Sequence, residues 1–169
     1  MTDFKNNVVS ELPDITKIDF IKINKKYFKV ISINTFIVFF VFLTALIFLH
    51  FWVFEDEFKP YVIYFYFGLI FFFSLLYSYL YFSFSKRKYA VRDKDISYKR
   101  GILVKKITTV PFSRIQHIEI DEKPISRIFN LASISVFTAG DSSDDLMIKG
   151  ITLENATKIK EFISIKIDE

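Results

Sequence analysis

The two histidines, His50 and His117, are the side chains best suited to acid–base chemistry in this sequence. Ser113 lies four residues before His117, so the two have the residue types of a nucleophile and its base. No acidic residue is placed by its spacing to orient His117. The four glycines form no phosphate-binding cluster, and there is no cysteine. The residues therefore predict neither an enzyme active site nor a bound cofactor.

A group of carboxylates is the second chemical feature. Asp141, Asp144 and Asp145 stand in a polar stretch with two serines, and hard cations such as Ca²⁺ prefer clustered oxygen ligands. Their spacing does not match an EF-hand loop, however, and a solvated hairpin tip explains the same composition. No metal site is predicted.

Two arginines, Arg114 and Arg127, are open to two interpretations. Each could contact an anion or a peptide, because the guanidinium group offers a planar set of donors. Each could instead hold a turn against a sheet, either by pairing with a carboxylate such as Asp121 or Glu122 or by donating to backbone carbonyls. The sequence favours the structural interpretation without excluding the other.

Basic residues near the middle of the chain are further candidates. Lys86, Arg87 and Lys88 directly follow an uncharged stretch; they are candidate membrane-proximal contacts, since anionic headgroups attract each such residue by about 1 kcal/mol. The simpler interpretation is that they only determine topology. Four more basic residues join Arg114 and Arg127 as candidate partner or lipid contacts: Lys99, Arg100, Lys105 and Lys106. A formal net charge of only +4 argues against nucleic acid.

All of these residues depend for their position on two apolar segments. The chain has 169 residues, of which 51% are hydrophobic and 22 are Phe. Residues 30–54 and 60–85 carry no formal charge, and each exceeds the roughly 20 residues with which a helix crosses a bilayer. A connection as short as residues 55–59 makes them a transmembrane hairpin. Three polar residues are candidates for hydrogen bonds between its helices: Asn34, Thr35 and Thr44.

The distribution of positive charge predicts the orientation of the hairpin. Residues 1–29 contain six lysines, whereas the connection contains one lysine and three acidic residues. Positive charge is retained on the cytoplasmic side of a membrane. Both termini are therefore expected in the cytoplasm, with residues 1–29 forming an N-terminal segment there.

Residues 86–169 have the pattern of a small β domain. Short alternating or β-branched segments separated by turn residues predict an antiparallel sheet or barrel. The last segment instead repeats apolar residues every three or four positions, which predicts a helix that closes the sheet. Its apolar positions are Leu153, Ala156, Ile159, Ile163 and Ile167.

Several motifs in this domain resemble those of the YdbS-like bacterial PH domain family. Residues 110–118 (VPFSRIQHI) are similar to its Pro-x-x-Arg-Ile-Gln element. Residues 123–132 (KPISRIFNLA) and 134–140 (ISVFTAG) resemble its Pro-Leu-x-Arg element and the strand that follows, and residues 100–103 (RGIL) resemble its hairpin. Asn130 stands where glycine is typical of the family, and asparagine tolerates the left-handed backbone that such a turn requires.

The resemblance implies a membrane α-helical hairpin followed by an α+β PH-like domain. That domain would be a bent antiparallel sheet or barrel of about seven strands, capped by a C-terminal helix. We therefore expect a multi-pass protein of the bacterial inner membrane, and since no catalytic residues are predicted, we expect it to act as a non-catalytic binding or assembly module. Its expected partners are membrane lipid and another membrane protein of the same family, or copies of itself.

The sequence says least about the cellular process in which such a module takes part. At the level of the family, a role in envelope stress or in resistance to membrane-active peptides is expected. Two alternatives remain open: a subunit of a membrane transport or export complex, and a regulator that binds anionic lipid.

Overall fold

The computed structural model describes residues 18–138 and 146–168. The carboxylate group of Asp141, Asp144 and Asp145 lies outside the described residues, as do the first 17 residues of the chain.

Two long helices form the apolar part of the described chain. Helix α1 covers Lys26–Trp52 and helix α2 covers Val62–Ser85, preceded by a short 3-10 helix at Lys59–Tyr61. Pro60 lies in that 3-10 turn, where its missing N–H costs no hydrogen bond. Both helices are long and apolar enough to cross a membrane, and only 6% of the most apolar window of each is buried. The hairpin is therefore present, with α1 beginning four residues earlier than predicted.

Aromatic rings and hydroxyl groups join the two helices. Phe39 meets Phe73 edge to face, with ring centroids 5.1 Å apart, and the hydroxyls of Ser32 and Tyr77 lie 3.3 Å apart. The three polar residues proposed to bridge the helices instead donate to carbonyls of α1 itself: Asn34, Thr35 and Thr44. A carbonyl one turn earlier satisfies such a side chain without any partner helix, so these bonds do not contribute to helix pairing.

The first sheet contains four antiparallel strands in the order β1-β2-β3-β4: Ile21–Lys22, Lys88–Val91, Asp95–Arg100 and Lys106–Pro111. Strands β1 and β2 are neighbours in this sheet, yet the whole helical hairpin separates them in the chain. The segment before the helices, assigned from the sequence to residues 1–29, thus contributes a strand to the sheet. Both ends of the hairpin are consequently attached to adjacent strands.

The second sheet contains three antiparallel strands in the order β5-β6-β7, namely Ile115–Asp121, Leu131–Thr138 and Leu146–Thr152. The short helix α3, Pro124–Ile128, connects β5 to β6, and helix α4, Leu153–Asp168, follows β7. The predicted fold class, a membrane hairpin with a sheet of about seven strands and a C-terminal helix, is confirmed.

Apolar side chains from both sheets and α4 share one core. Ile96 of β3, Ile134 of β6 and Ile163 of α4 are fully buried there. Ala156 is buried on the same face of α4 as Ile163, as the predicted stripe requires, whereas Ile167 at its end is 39% exposed. The stripe thus docks α4 on the sheets through its first three turns.

The turn before β6 has the predicted left-handed backbone. Asn130 has a φ of 54°, and its carbonyl accepts a hydrogen bond from the Leu153 N–H at 3.2 Å. Asparagine therefore replaces glycine here at a position where its tolerance of positive φ is needed.

The start of α1 docks on a bulge in β7. Gly150 has a φ of 84°, and a Cβ atom at this position would lie 2.4 Å from Cγ of Tyr27. The pairing of β6 with β7 shifts register at the same place, which is typical of a bulge with glycine at positive φ. The Asn24 N–H donates to the Gly150 carbonyl at 2.9 Å. This contact fastens the base of the hairpin to the second sheet.

Replacing Gly150 should loosen this junction. In Gly150→Ala the strained φ and the clash with Tyr27 are expected to cost about 1–3 kcal/mol of stability, seen as a lower midpoint of thermal unfolding in detergent micelles. Gly68→Ala is the matched control, because nothing lies within 4 Å of the added methyl group. Equal unfolding midpoints for the two variants would contradict the role of the glycine.

Candidate functional site

One end of the four-stranded sheet lies at the base of the helices. Helix α2 ends at Ser85 and β2 begins at Lys88. Because β2, β3 and β4 pair antiparallel, the start of β2, the end of β3 and the start of β4 share this end. We call it the hairpin end. The opposite end carries the β2–β3 turn, residues 92–94.

Basic residues face one another across the strands at the hairpin end. Lys22 pairs with Lys88 and Lys88 with Lys99, while Arg100 pairs with Lys106. Opposite charges in such cross-strand positions contribute roughly 0.2–1 kcal/mol, and like charges directly opposite are destabilising. An anion bound among these side chains would relieve the repulsion.

Arg100 and Lys106 also line a cavity of about 680 Å³. Its walls come from the last two turns of α2, from β3 and β4, and from β7. Its described lining residues include four cations and no carboxylate: Arg87, Arg100, Lys106 and Lys149. Hydroxyl groups complete the polar lining: Tyr79, Ser83, Tyr98 and Thr108. The cavity thus offers cations and hydrogen-bond donors suited to a phosphate-sized anion.

Tyr98 keeps its proton in this setting. Burial raises the pKa of Tyr98 above its usual value, and the charges of Arg87 and Arg100 only partly oppose that effect. The phenol is therefore neutral at physiological pH, and its hydroxyl can donate a hydrogen bond to an anion in the cavity.

Two smaller grooves extend this basic surface around the base of the hairpin. One, of about 650 Å³, is lined by residues of the β1–α1 connection and by Phe84, Ser85 and Arg87. The other, of about 460 Å³, lies between α1, α3 and β7. Neither has a carboxylate among its described lining residues. Together with the cavity they form a basic collar, made of Lys22, Lys25, Lys26, Arg87, Arg100, Lys106, Lys123 and Lys149.

The collar includes only some of the basic residues singled out from the sequence. Arg87, Arg100 and Lys106 meet at the cavity. Lys99 instead lies over the ring of Phe20, 5.6 Å from its centroid. The others occupy different positions at the hairpin end: Lys86 caps α2, and Lys105 is exposed on the β3–β4 turn. Lys88 lies between Lys22 and Lys99 in a lysine row across β1, β2 and β3.

Sequence reasoning missed five members of the collar as site residues: Lys22, Lys25, Lys26, Lys123 and Lys149. Lys149 alternates with buried Ile148 in β7, so its position on the face away from the core follows from the two-residue period. Lys22 lies in a strand of only two residues, which is too short to show any period. Only its pairing with Lys88 reveals its place.

Arg114 and Arg127 are not brought together. Arg114 precedes β5, Arg127 lies in α3 beyond its other end, and both side chains are exposed. Within the described parts of the chain neither guanidinium forms an ion pair, including with Asp121 or Glu122. The pairing expected under the structural interpretation is therefore not made between these residues.

The histidines also lie in separate environments. His117 stacks on Phe137 with centroids 4.4 Å apart, and its Nε2 lies 3.6 Å from a carboxylate oxygen of Glu119. His50 Nδ1 lies 3.4 Å from the hydroxyl of Tyr66 within the hairpin. Among the described residues no group of three His, Asp or Glu side chains is arranged to hold a metal ion.

The fold and the basic collar define a membrane protein whose sheet domain is attached directly to a helical hairpin. Residues 28–166 match the model of the bacterial PH domain family, and the chain belongs to that family. This match confirms the resemblance inferred from the motifs. The chain is therefore a membrane-associated protein with a PH-like domain.

Individual similarities are more limited. The chain is 29% identical over 77 residues to the UPF0699 transmembrane protein YdbS of Bacillus subtilis (strain 168). The alignment covers 46% of this chain and 46% of that protein, so it spans about half of the curated relative. A solved DUF1696 family protein with a pleckstrin-homology domain from Shewanella loihica PV-4 is similar at 15% identity and a TM-score of 0.38, over 48% of this chain and 70% of that one.

Removing either exposed arginine should leave the fold intact. Arg114→Ala and Arg127→Ala are expected to change the free energy of unfolding by no more than about 0.5 kcal/mol, since neither guanidinium has a described partner. Arg92→Ala is the control: Arg92 Nε donates to Asp95 at 2.8 Å, and loss of this two-point pair should cost about 0.5–1 kcal/mol. Chemical denaturation measures all three. A loss above 1 kcal/mol for Arg114 or Arg127 would restore the structural interpretation.

Proposed function

We propose that the chain is a non-catalytic, membrane-anchored binding module of the bacterial inner membrane, and that its PH-like domain binds anionic lipid headgroups. The observation that carries the proposal is the cavity at the hairpin end. Arg87, Arg100 and Lys106 converge there with no carboxylate among the described lining residues. Cations arranged in this way favour a ligand with phosphate oxygens.

The wall of the cavity that α2 forms supports a lipid, rather than a soluble anion, as the ligand. Tyr79 and Ser83 come from the last two turns of α2. At about 1.5 Å per residue, Tyr79 lies roughly 9 Å along the helix from its end. Tyrosine at that depth is typical of the headgroup region. A lipid beside α2 would therefore have its phosphate next to the cavity and its acyl chains along the helix, a contact that a soluble anion lacks.

The same surface supports the proposed topology. The collar gathers lysines and arginines at the base of both helices, whereas the far end of the hairpin has an ion pair between Lys59 and Asp56 at 2.6 Å. Because positive charge is retained on the cytoplasmic side, this distribution supports a cytoplasmic position for the sheet domain and both termini. The inner leaflet, which the domain would then face, presents its anionic headgroups to the collar.

Neutralising the cavity should weaken the response to anionic lipid. Phosphatidylglycerol added to the detergent-solubilised full chain is expected to raise its unfolding temperature more than phosphatidylcholine does. In Arg100→Gln/Lys106→Gln the apparent affinity for phosphatidylglycerol should fall roughly 30-fold, because two contacts of about 1 kcal/mol each are removed. Thermal unfolding over a lipid titration measures both affinities, and added salt should reduce the wild-type effect.

A matched control variant distinguishes the effect of losing this site from the effect of lowering the net charge. Lys94→Gln/Lys160→Gln removes the same two charges at exposed positions that do not line the cavity. This variant should respond to phosphatidylglycerol as the wild type does. The proposal fails if both double variants lose the response equally, or if neither does.

Assembly with another membrane protein is a second candidate function. Strand β4 pairs only with β3, and β5 only with β6, among the strands that the structure describes. Such edges can accept a strand from a partner of the same family or from a second copy. Crosslinking in native membranes followed by mass spectrometry tests this, and recovery of the uncrosslinked chain alone would count against it. Roles in envelope stress, in resistance to membrane-active peptides, and in a transport or export complex stay predictions.

A further inference from the structure

The turn between β3 and β4, residues 101–105, exposes an unusual amount of apolar surface. Leu103 is 92% exposed, more than any other large apolar side chain that the structure describes, and its neighbour Val104 is 80% exposed. Single exposed apolar residues are common on soluble surfaces. Here two exposed apolar residues follow one another at the tip of a tight turn, and no described residue covers them. This arrangement needs an explanation.

This turn is fixed in shape. Gly101 has a φ of 105°, and a Cβ atom there would lie 1.9 Å from the carbonyl oxygen of Val104. The chain therefore folds back closely on itself, which only glycine permits at this position. Leu103 is held at the apex of a defined loop.

The turn lies at the hairpin end of the sheet. Arg100, the last residue of β3, pairs with Lys106, the first residue of β4, so the turn projects from the end at which α2 enters β2. The opposite turn, residues 92–94, is Arg-Asp-Lys. The same sheet thus has a polar turn at one end and an apolar turn at the end next to the hairpin.

The β3–β4 turn lies at the same depth relative to the membrane as the last two turns of α2. Val104 lines the same cavity as Tyr79 and Ser83 of α2. The turn therefore reaches alongside the last two turns of a helix that crosses the bilayer. Its flanking residues Arg100, Lys105 and Lys106 are cations, which suit an anionic headgroup layer around an apolar tip.

We propose that Leu103 and Val104 insert into the lipid–water interface of the membrane that holds α1 and α2. The β3–β4 turn is then a third membrane contact, which prevents the sheet domain from tilting away from the bilayer. This contact differs from the proposed headgroup site, because its occupant is the apolar side of the interface and not a phosphate group.

The absence of cysteine from the chain makes a direct test available. In Leu103→Cys the only thiol is at the tip, and it can carry an environment-sensitive fluorophore in the full chain reconstituted into nanodiscs. With nitroxide-labelled lipid near the headgroups, this label is expected to lose about half of its fluorescence and to shift to the blue. Asp93→Cys, at the opposite turn, is the matched control and should show neither change.

Each other result overturns the proposal. If the label at position 103 behaves like the label at position 93, the turn lies in water. If it shifts to the blue without being quenched by the nitroxide lipid, a protein surface or a second copy covers the turn.

The test is independent of the headgroup proposal. In nanodiscs made of phosphatidylcholine and nitroxide-labelled phosphatidylcholine, with no anionic lipid, quenching at position 103 should persist, because insertion depends on apolar contact. If the wild-type chain shows no response to phosphatidylglycerol but the label at position 103 is quenched, the headgroup site is rejected and the inserted turn is kept. If the chain responds to phosphatidylglycerol but the label is not quenched, the inserted turn is rejected and the headgroup site is kept.

Discussion

The pairing of β1 with β2 across the membrane hairpin is the constraint on which the rest of the structure depends. Only residues 23–25 separate β1 from α1, and only residues 86–87 separate α2 from β2. Paired strands lie about 4.8 Å apart, whereas packed helices lie about 8–10 Å apart. The two connections must bridge this difference without a flexible linker. The docking of Tyr27 and Asn24 on Gly150 then fastens the junction to the second sheet. The sheet domain is consequently held in one orientation relative to the two helices.

A fixed orientation explains why the two ends of the first sheet differ in chemistry. The far end has an ion pair between Arg92 and Asp95, as expected of a solvated turn. The hairpin end has a lysine row and the Arg100–Lys106 pair, which a sheet in water would disfavour. The anionic lipid that we propose as the ligand of this end would relieve these repulsions.

The sequence predicted those parts of the molecule that depend on local pattern. Long uncharged runs indicated the helices, an apolar stripe indicated α4, and Asn130 was expected in the left-handed region where it lies. It did not predict β1, because a strand of two residues has no period. Nor did it predict the cavity, which exists only through the register that brings Arg100 and Lys106 together. Arg114 and Arg127 attracted attention through family motifs, but β5 keeps them apart.

The hairpin also changes what lipid binding can accomplish. A soluble domain needs enough affinity to be recruited from the cytoplasm, whereas a domain joined to two membrane helices is always at the surface. Its effective concentration near lipid is high, so contacts of about 1 kcal/mol each are sufficient to matter. Such contacts would not determine whether the protein is at the membrane. They would determine which lipids lie beside α2, which would allow the domain to respond to the composition of the membrane around it.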